Sequence, residues 1–152
     1  MTYFIKGIYY YLMMKPYEFI DHTADIGIRV EGKTLPQLFA NAGYALFDII
    51  LEDINSIRPL QSCKINIQGE KIEDLFFEWL RELLKKFNTE HLAFREFDIK
   101  ISDSQALETT CKGEKINPST HPLKTEIKAV TYHALTVKKK KEGWEATVIF
   151  DI

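Results

Sequence analysis

Between Ile72 and Phe87 the apolar residues Ile72, Leu75, Phe76, Trp79, Leu80, Leu83, Leu84 and Phe87 keep an i, i+3, i+4 rhythm without a gap. On an α-helix they form one unbroken apolar stripe, which other elements must cover. Glu73 and Asp74 open this helix and Lys85 and Lys86 close it, each sign suiting the local helix dipole. A second helix is predicted from Thr34, an N-cap residue with Pro36 in the first turn and Gln37 placed for a capping box. Its apolar face is Leu35, Leu38, Phe39, Ala42, Leu46, Ile49 and Ile50.

What covers these stripes is read from the rest of the chain, which alternates with period two. Ile28 and Val30 alternate with Arg29 and Glu31; Cys63, Ile65 and Ile67 with Lys64, Asn66 and Gln68; Phe97, Ile99 and Ile101 with Asp98, Lys100 and Ser102. Leu135 and Val137 lead through Glu142-Gly143 into Trp144, Ala146, Val148 and Phe150, a β-hairpin pattern. Strands outnumber helices and do not alternate with them regularly. The expected class is α+β: a largely antiparallel sheet with two main helices, not a Rossmann-type fold. The stretch from Lys112 to Thr125, with Gly113, Pro118 and Pro122, is predicted to be irregular.

With 152 residues, 45% of them hydrophobic and 28% charged, the chain has the length and balance of one soluble domain with a real core. A formal net charge of −2 argues against a protein that coats nucleic acid through its overall field. Cys63 and Cys111 form no C-x-x-C pair and no secretory signal is evident, so a cytoplasmic location with reduced thiols is expected. Cys63 falls on the apolar side of its run and is expected in the core. Residues 1–13 are apolar and aromatic but shorter than the ~20 residues of a membrane helix. They are read as an appendage outside the fold, with an edge strand or dimerisation segment as the alternative. Residues 14–152 are read as a single domain.

The final residues, Val148-Ile149-Phe150-Asp151-Ile152, carry a strand pattern to the last position, which places the Asp151 carboxylate beside the chain-terminal carboxylate of Ile152. A third carboxylate, Asp25, stands near the start of another predicted strand in HTADIGI (His22 to Ile28). Together these groups would offer an oxygen-only site to a hard cation such as Mg²⁺ or Ca²⁺, with Mn²⁺ also compatible. The plain alternative for Asp151 is a solvated carboxylate at a strand end. His22 would orient a carboxylate ligand from behind or cap the strand entry. Gly27 suggests a close approach by a backbone or a ligand.

Glu126 to His133 (EIKAVTYH) is unusually polar for a segment of β-formers, and its Lys128 is a candidate contact for phosphate or an acidic partner, with a solvated surface lysine as the plain alternative. His121, His133 and Cys111 lack zinc-type spacing. The run from Lys138 to Lys141 reads as a solvated hairpin end, or as an RNA-contact patch. No G-x-G-x-x-G follows a strand, and no P-loop or nucleophile motif is present, so an autonomous enzyme has little support.

HTADIGI near the front, the Trp79 helix, EIKAVTYH and the closing VIFDI occur in the order that resembles the archease family, over about Met14 to Ile152. The resemblance implies an α+β fold containing a strand-helix-strand-strand module. It implies a non-enzymatic, chaperone-like accessory protein of the tRNA-splicing RNA ligase, promoting guanylylation of that ligase from GTP and its multiple turnover. GTP would be met only through the ligase and tRNA only indirectly, with no membrane involved. It also implies a divalent cation held by Asp25, Asp151 and Ile152 and an activating role for Lys128, with His22 and His133 as further motif positions. Two other readings stay open: a stand-alone metal-dependent enzyme on a phosphorylated substrate, and an RNA-binding adaptor using the lysine run.

Overall fold

The computed structural model describes residues 15–20 and 25–152. The expectation for residues 1–13 and the role given to His22 fall outside them. Helix α1, Leu35–Ile50, starts where Thr34 in extended conformation accepts the Gln37 amide on Oγ1 at 3.2 Å. The return bond lands one residue earlier than a capping box requires, because Gln37 Oε1 accepts from the Lys33 amide at 2.7 Å. Helix α2, Ile72–Glu90, runs three residues past Phe87 and stops at His91, whose left-handed backbone (φ 57°) caps it. Lys85 and Lys86 therefore lie ahead of the last turn. Lys86 pairs with Glu90 at 3.2 Å instead of serving the helix dipole alone.

Seven strands complete the fold: β1 Tyr17–Ile20, β2 Ile26–Gly32, β3 Gln61–Gln68, β4 Leu92–Ser102, β5 Ala106–Lys115, β6 Ala129–Lys140 and β7 Gly143–Asp151. They form two sheets, ordered β1-β2-β7-β6 and β3-β5-β4, and every neighbouring pair is antiparallel. The run β3-α2-β4-β5 is a strand-helix-strand-strand module. The period-two segments all lie in strands. The predicted irregular stretch begins only after Lys115, because Lys112 to Lys115 belong to β5.

Both helices touch both sheets. Helix α1 is buried on nearly every side, with Ala45, Phe47 and Asp48 enclosed as well as its apolar face. Its remaining side carries exposed Gln37 with partly buried Ala40, Asn41 and Tyr44. Phe39 and Phe47 of this helix are fully buried, as are Trp79, Phe76, Phe94 and Phe150. Trp79 Nε1 donates to the Phe39 carbonyl at 2.8 Å, so the one polar atom of the largest core side chain is satisfied between the two helices. On β3, β5 and β4 the rows Cys63–Cys111–Phe97 and Ile67–Leu107–Ile101 turn inward, and both cysteines are free thiols. Burial pushes the Cys111 thiol up to about 12.

Two buried carboxylates lock the chain to itself. Asp48, on α1, accepts from the Tyr17 hydroxyl at 2.6 Å and from Lys15 Nζ at 2.7 Å, pinning β1 over the helix. Burial, then the bond to Asp48, pushes the Tyr17 hydroxyl far above its usual range. Glu114, on β5, accepts from the Arg58 amide at 2.6 Å and from the Arg58 guanidinium, while His121 Nε2 lies 3.4 Å away. His121 Nδ1 accepts the Asn117 amide at 3.0 Å. The segment 116–128 is irregular but not loose. Besides the His121 anchor, the amides of Glu52 and Lys124 bond the Pro122 and Ile50 carbonyls across it at 3.0 and 2.9 Å.

Burial alone would raise the Glu114 carboxyl. The Arg58 amide and guanidinium, together with His121, outweigh it and hold the carboxyl below the usual carboxylate range. A depressed folded-state pKa contributes stability that is complete above the unfolded value, about 4.3, and is lost as pH falls through the lower folded value. Glu114→Gln should therefore cost about 1–3 kcal/mol at pH 7 by urea unfolding. Its deficit against the parent chain should close as the titration is repeated below about pH 4. Gly113 is a separate constraint. A Cβ there would lie 1.9 Å from the Ala93 carbonyl oxygen, beside the β4 irregularity at Phe94/Glu96. Gly113→Ala should destabilise by about 2 kcal/mol or more in the same assay.

Candidate functional site at the end of the four-stranded sheet

Strand β7 runs between β2 and β6. Its ladder with β2 extends from Gly32–Trp144 to Ile26–Phe150. One residue beyond that last pair stand Asp25 on one strand and Asp151 on the other. The ladder of β7 with β6 ends at Ala129–Asp151, and just past it the Lys128 amide donates to the Asp151 carbonyl at 2.7 Å. Two ladders and this extra bond fix the backbone at Asp151. Asp25, Lys128, Asp151 and Ile152 thus share one end of the sheet.

Their surroundings are graded. Phe150 is fully buried, Asp25 is half-buried, and Asp151, Ile152 and Lys128 are exposed. Alternation along β7 turns Asp151 away from the core side occupied by Val148 and Phe150. The close approach expected at Gly27 is made by Ile20 on β1: a Cβ there would lie 2.7 Å from Ile20 Cγ1.

Among the described residues no three His, Cys, Asp or Glu side chains gather as metal ligands. Among the described residues the carboxylates at this end of the sheet are those of Asp25 and Asp151, so a third oxygen would have to come from the main chain beside them. An all-oxygen, solvent-facing set of this kind fits a hard divalent cation and suits a soft, thiophilic metal poorly.

His133 lies further along β6, in a feature not anticipated from sequence. Thr131 pairs with Ile149 and Thr136 with Thr147, so four residues, 132–135, oppose Val148 alone. Within this wide bulge Ala134 takes a left-handed backbone, φ 53°, which a side chain disfavours. Thr147 Oγ1 donates to the Ala134 carbonyl at 2.8 Å and shares a 2.7 Å hydrogen bond with Thr136 Oγ1. The signal was present: the inward phase is even at Val130 and odd at Leu135 and Val137, and a strand can change phase only through a bulge. The lysine run is partly neutralised, since Lys140 pairs with Glu145 at 3.6 Å and Lys138 stands opposite the same residue.

No described helix is long and apolar enough to cross a membrane. The model of the Archease protein family (MTH1598/TM1083) matches residues 17–152. Protein archease of Saccharolobus islandicus (strain M.14.25 / Kamchatka #1) is 39% identical over 140 residues, covering 91% of this chain and all of that protein. Protein archease of Pyrococcus abyssi (strain GE5 / Orsay) is 38% identical over 143 residues, with the same coverage. Among solved structures, Methanobacterium thermoautotrophicum protein 1598 superposes with a TM-score of 0.80 at 34% identity, over 91% of this chain and 100% of that one. A Thermotoga maritima archease, described as a possible chaperone, superposes with a TM-score of 0.61 at 25% identity, over 88% and 94%. With the motifs, the fold and the match in agreement over nearly the whole length, the chain belongs to the archease family.

Proposed function

We propose that this archease-family chain is a divalent-cation-binding activator of the tRNA-splicing RNA ligase, acting on that enzyme rather than carrying out a reaction of its own. Its role would be to promote ligase guanylylation from GTP and to sustain multiple turnover in tRNA exon joining. The observation that carries this reading is the register of β2 and β7, which sets Asp25 beside Asp151 while Lys128 hydrogen-bonds the Asp151 backbone. The description of the Thermotoga maritima relative as a possible chaperone agrees with an accessory role.

Asp25, Asp151 and the terminal carboxylate of Ile152 would hold the cation, Ca²⁺ or Mg²⁺ and less specifically Mn²⁺. When bound, a cation of this kind offsets negative charge on phosphate oxygens. The residues have separable tasks. The two aspartates confine negative oxygens at one end of the sheet. Lys128, exposed beside them, supplies a mobile positive charge for a phosphate or for an acidic group of the partner. His133 is placed on the bulge of the same strand, where it faces outward as a contact for the partner.

Calorimetric titration with Ca²⁺ and Mg²⁺ should give at least about tenfold weaker binding for Asp25→Ala and Asp151→Ala, with the thermal midpoint of the metal-free chain little changed. Lys128→Ala should bind cation normally and yet slow GTP-dependent guanylylation of the cognate ligase at least about tenfold. Full activation by all three variants would refute the assignment. GTP turnover without ligase would favour the stand-alone enzyme instead. Salt-steep binding to bare tRNA would favour the adaptor.

A further inference from the structure

The bulge on β6 exposes something beyond the cation site. It lifts Tyr132 off the sheet and lays its ring on Phe77 of α2, with centroids 4.0 Å apart and planes 12° from parallel. The Tyr132 hydroxyl donates to Asp74 Oδ1 at 3.0 Å. A side chain fixed at both ring and hydroxyl would ordinarily be buried, yet Tyr132 is 52% exposed. The fold thus holds a large aromatic rigid in solvent, and it strains Ala134 to do so. Rigid exposed aromatics of this kind are what protein interfaces use as anchors, because little side-chain entropy is left to lose on binding.

The surroundings select the partner. Asp74, Phe77, Glu78 and Arg81 follow one another at helical spacing along α2, so the aromatic pair is flanked by two carboxylates and one guanidinium. Arg81 bridges Glu78 at 3.3 Å, while Asp74 has the tyrosine hydroxyl as a neutral partner. The ring itself reports the balance. Burial raises the Tyr132 hydroxyl first, and Asp74 and Glu78 raise it further against the opposing effect of Arg81. A nucleic acid would bring phosphates toward these carboxylates. A planar cation would gain both from the ring face and from the acids beside it.

We infer that the Tyr132–Phe77 stack, with Asp74 and Glu78, is a docking surface for an arginine-bearing segment of a partner protein. The guanidinium would lie on the open face of Tyr132 and pair with a carboxylate at its rim.

The surface can be tested with the purified chain and a short Gly-Arg-Gly-Arg-Gly peptide, following aromatic-ring NMR shifts. Wild-type protein should show saturable shifts at Tyr132 and Phe77, and Tyr132→Ala should weaken binding about tenfold. Tyr132→Phe should bind within about twofold of wild type, because the ring and its stack remain. Asp74→Lys combined with Glu78→Lys should abolish the response. Equal shifts with the Glu analogue of the peptide, or an unchanged affinity in Tyr132→Ala, would overturn the inference. So would a Tyr132→Ala loss confined to a single-stranded oligouridine probe. Tyr132→Ala gives up the Phe77 stack and the Asp74 bond and should lower the melting temperature somewhat, so its amide spectrum should match the parent's away from α2 and β6, while Tyr132→Phe keeps the stack. If activation of the ligase fails for wild-type protein while the peptide still binds through Tyr132, the functional reading falls and this surface stands.

Discussion

The pairing of β2 with β7 is the constraint on which this molecule turns. It joins Ile26–Gly32 to Gly143–Asp151 across more than a hundred intervening residues. Loop-closure entropy makes so distant a pairing costly to form. What repays that cost is the burial of Ile28, Val30, Ala146, Val148 and Phe150 against the helices. The same ladder that closes the core delivers Asp25 and Asp151 to one end of the sheet. Closing the core and bringing these two carboxylates together are therefore one event, and a slip of a single residue in this register would undo both.

Polar side chains hold the pieces that apolar packing alone would leave ambiguous. Asp48 gives β1 one position over α1, and Glu114 gives the 116–121 segment one position against β5. Each carboxylate is met by more than one donor, so neither is left as an uncompensated buried charge. On the outward face of the larger sheet, Glu18, Arg29, Glu145 and Lys140 pair in sequence across the strands. These exposed pairs add little energy, but their alternating signs discourage a shifted register.

Some of this was written plainly in the residues and some was not. The stripe from Ile72 to Phe87 and the alternation around Ile65, Ile99 and Val148 each have a single period, and each became the element that period implies. Strand β5 escaped because buried Thr109 and Glu114 dilute its alternation and Gly113 reads as a loop former. Only the neighbouring Ala93 carbonyl, absent from any local pattern, explains that glycine. The end of α2 is not legible in its periodicity, because the apolar stripe finishes at Phe87 while the backbone continues to the left-handed His91. At the candidate site, the residues were nameable from motifs, but which strands would lie side by side is not encoded in periodicity. Nothing in the local pattern around Tyr132 sets it apart. Its meaning came from Phe77 and Asp74, more than fifty positions earlier in the chain.

Strand β7 lies inside its sheet, yet the ribosome makes it after every other strand described. Until those residues emerge, β2 and β6 have no neighbour to bind between them, and their unmatched amides and carbonyls must wait in water or in the care of a holdase. A nascent chain halted anywhere before Trp144 would own both helices and most of its core residues but no centre to its larger sheet. Such a fragment would leave open strand edges on β2 and on β6 where the folded sheet has β7.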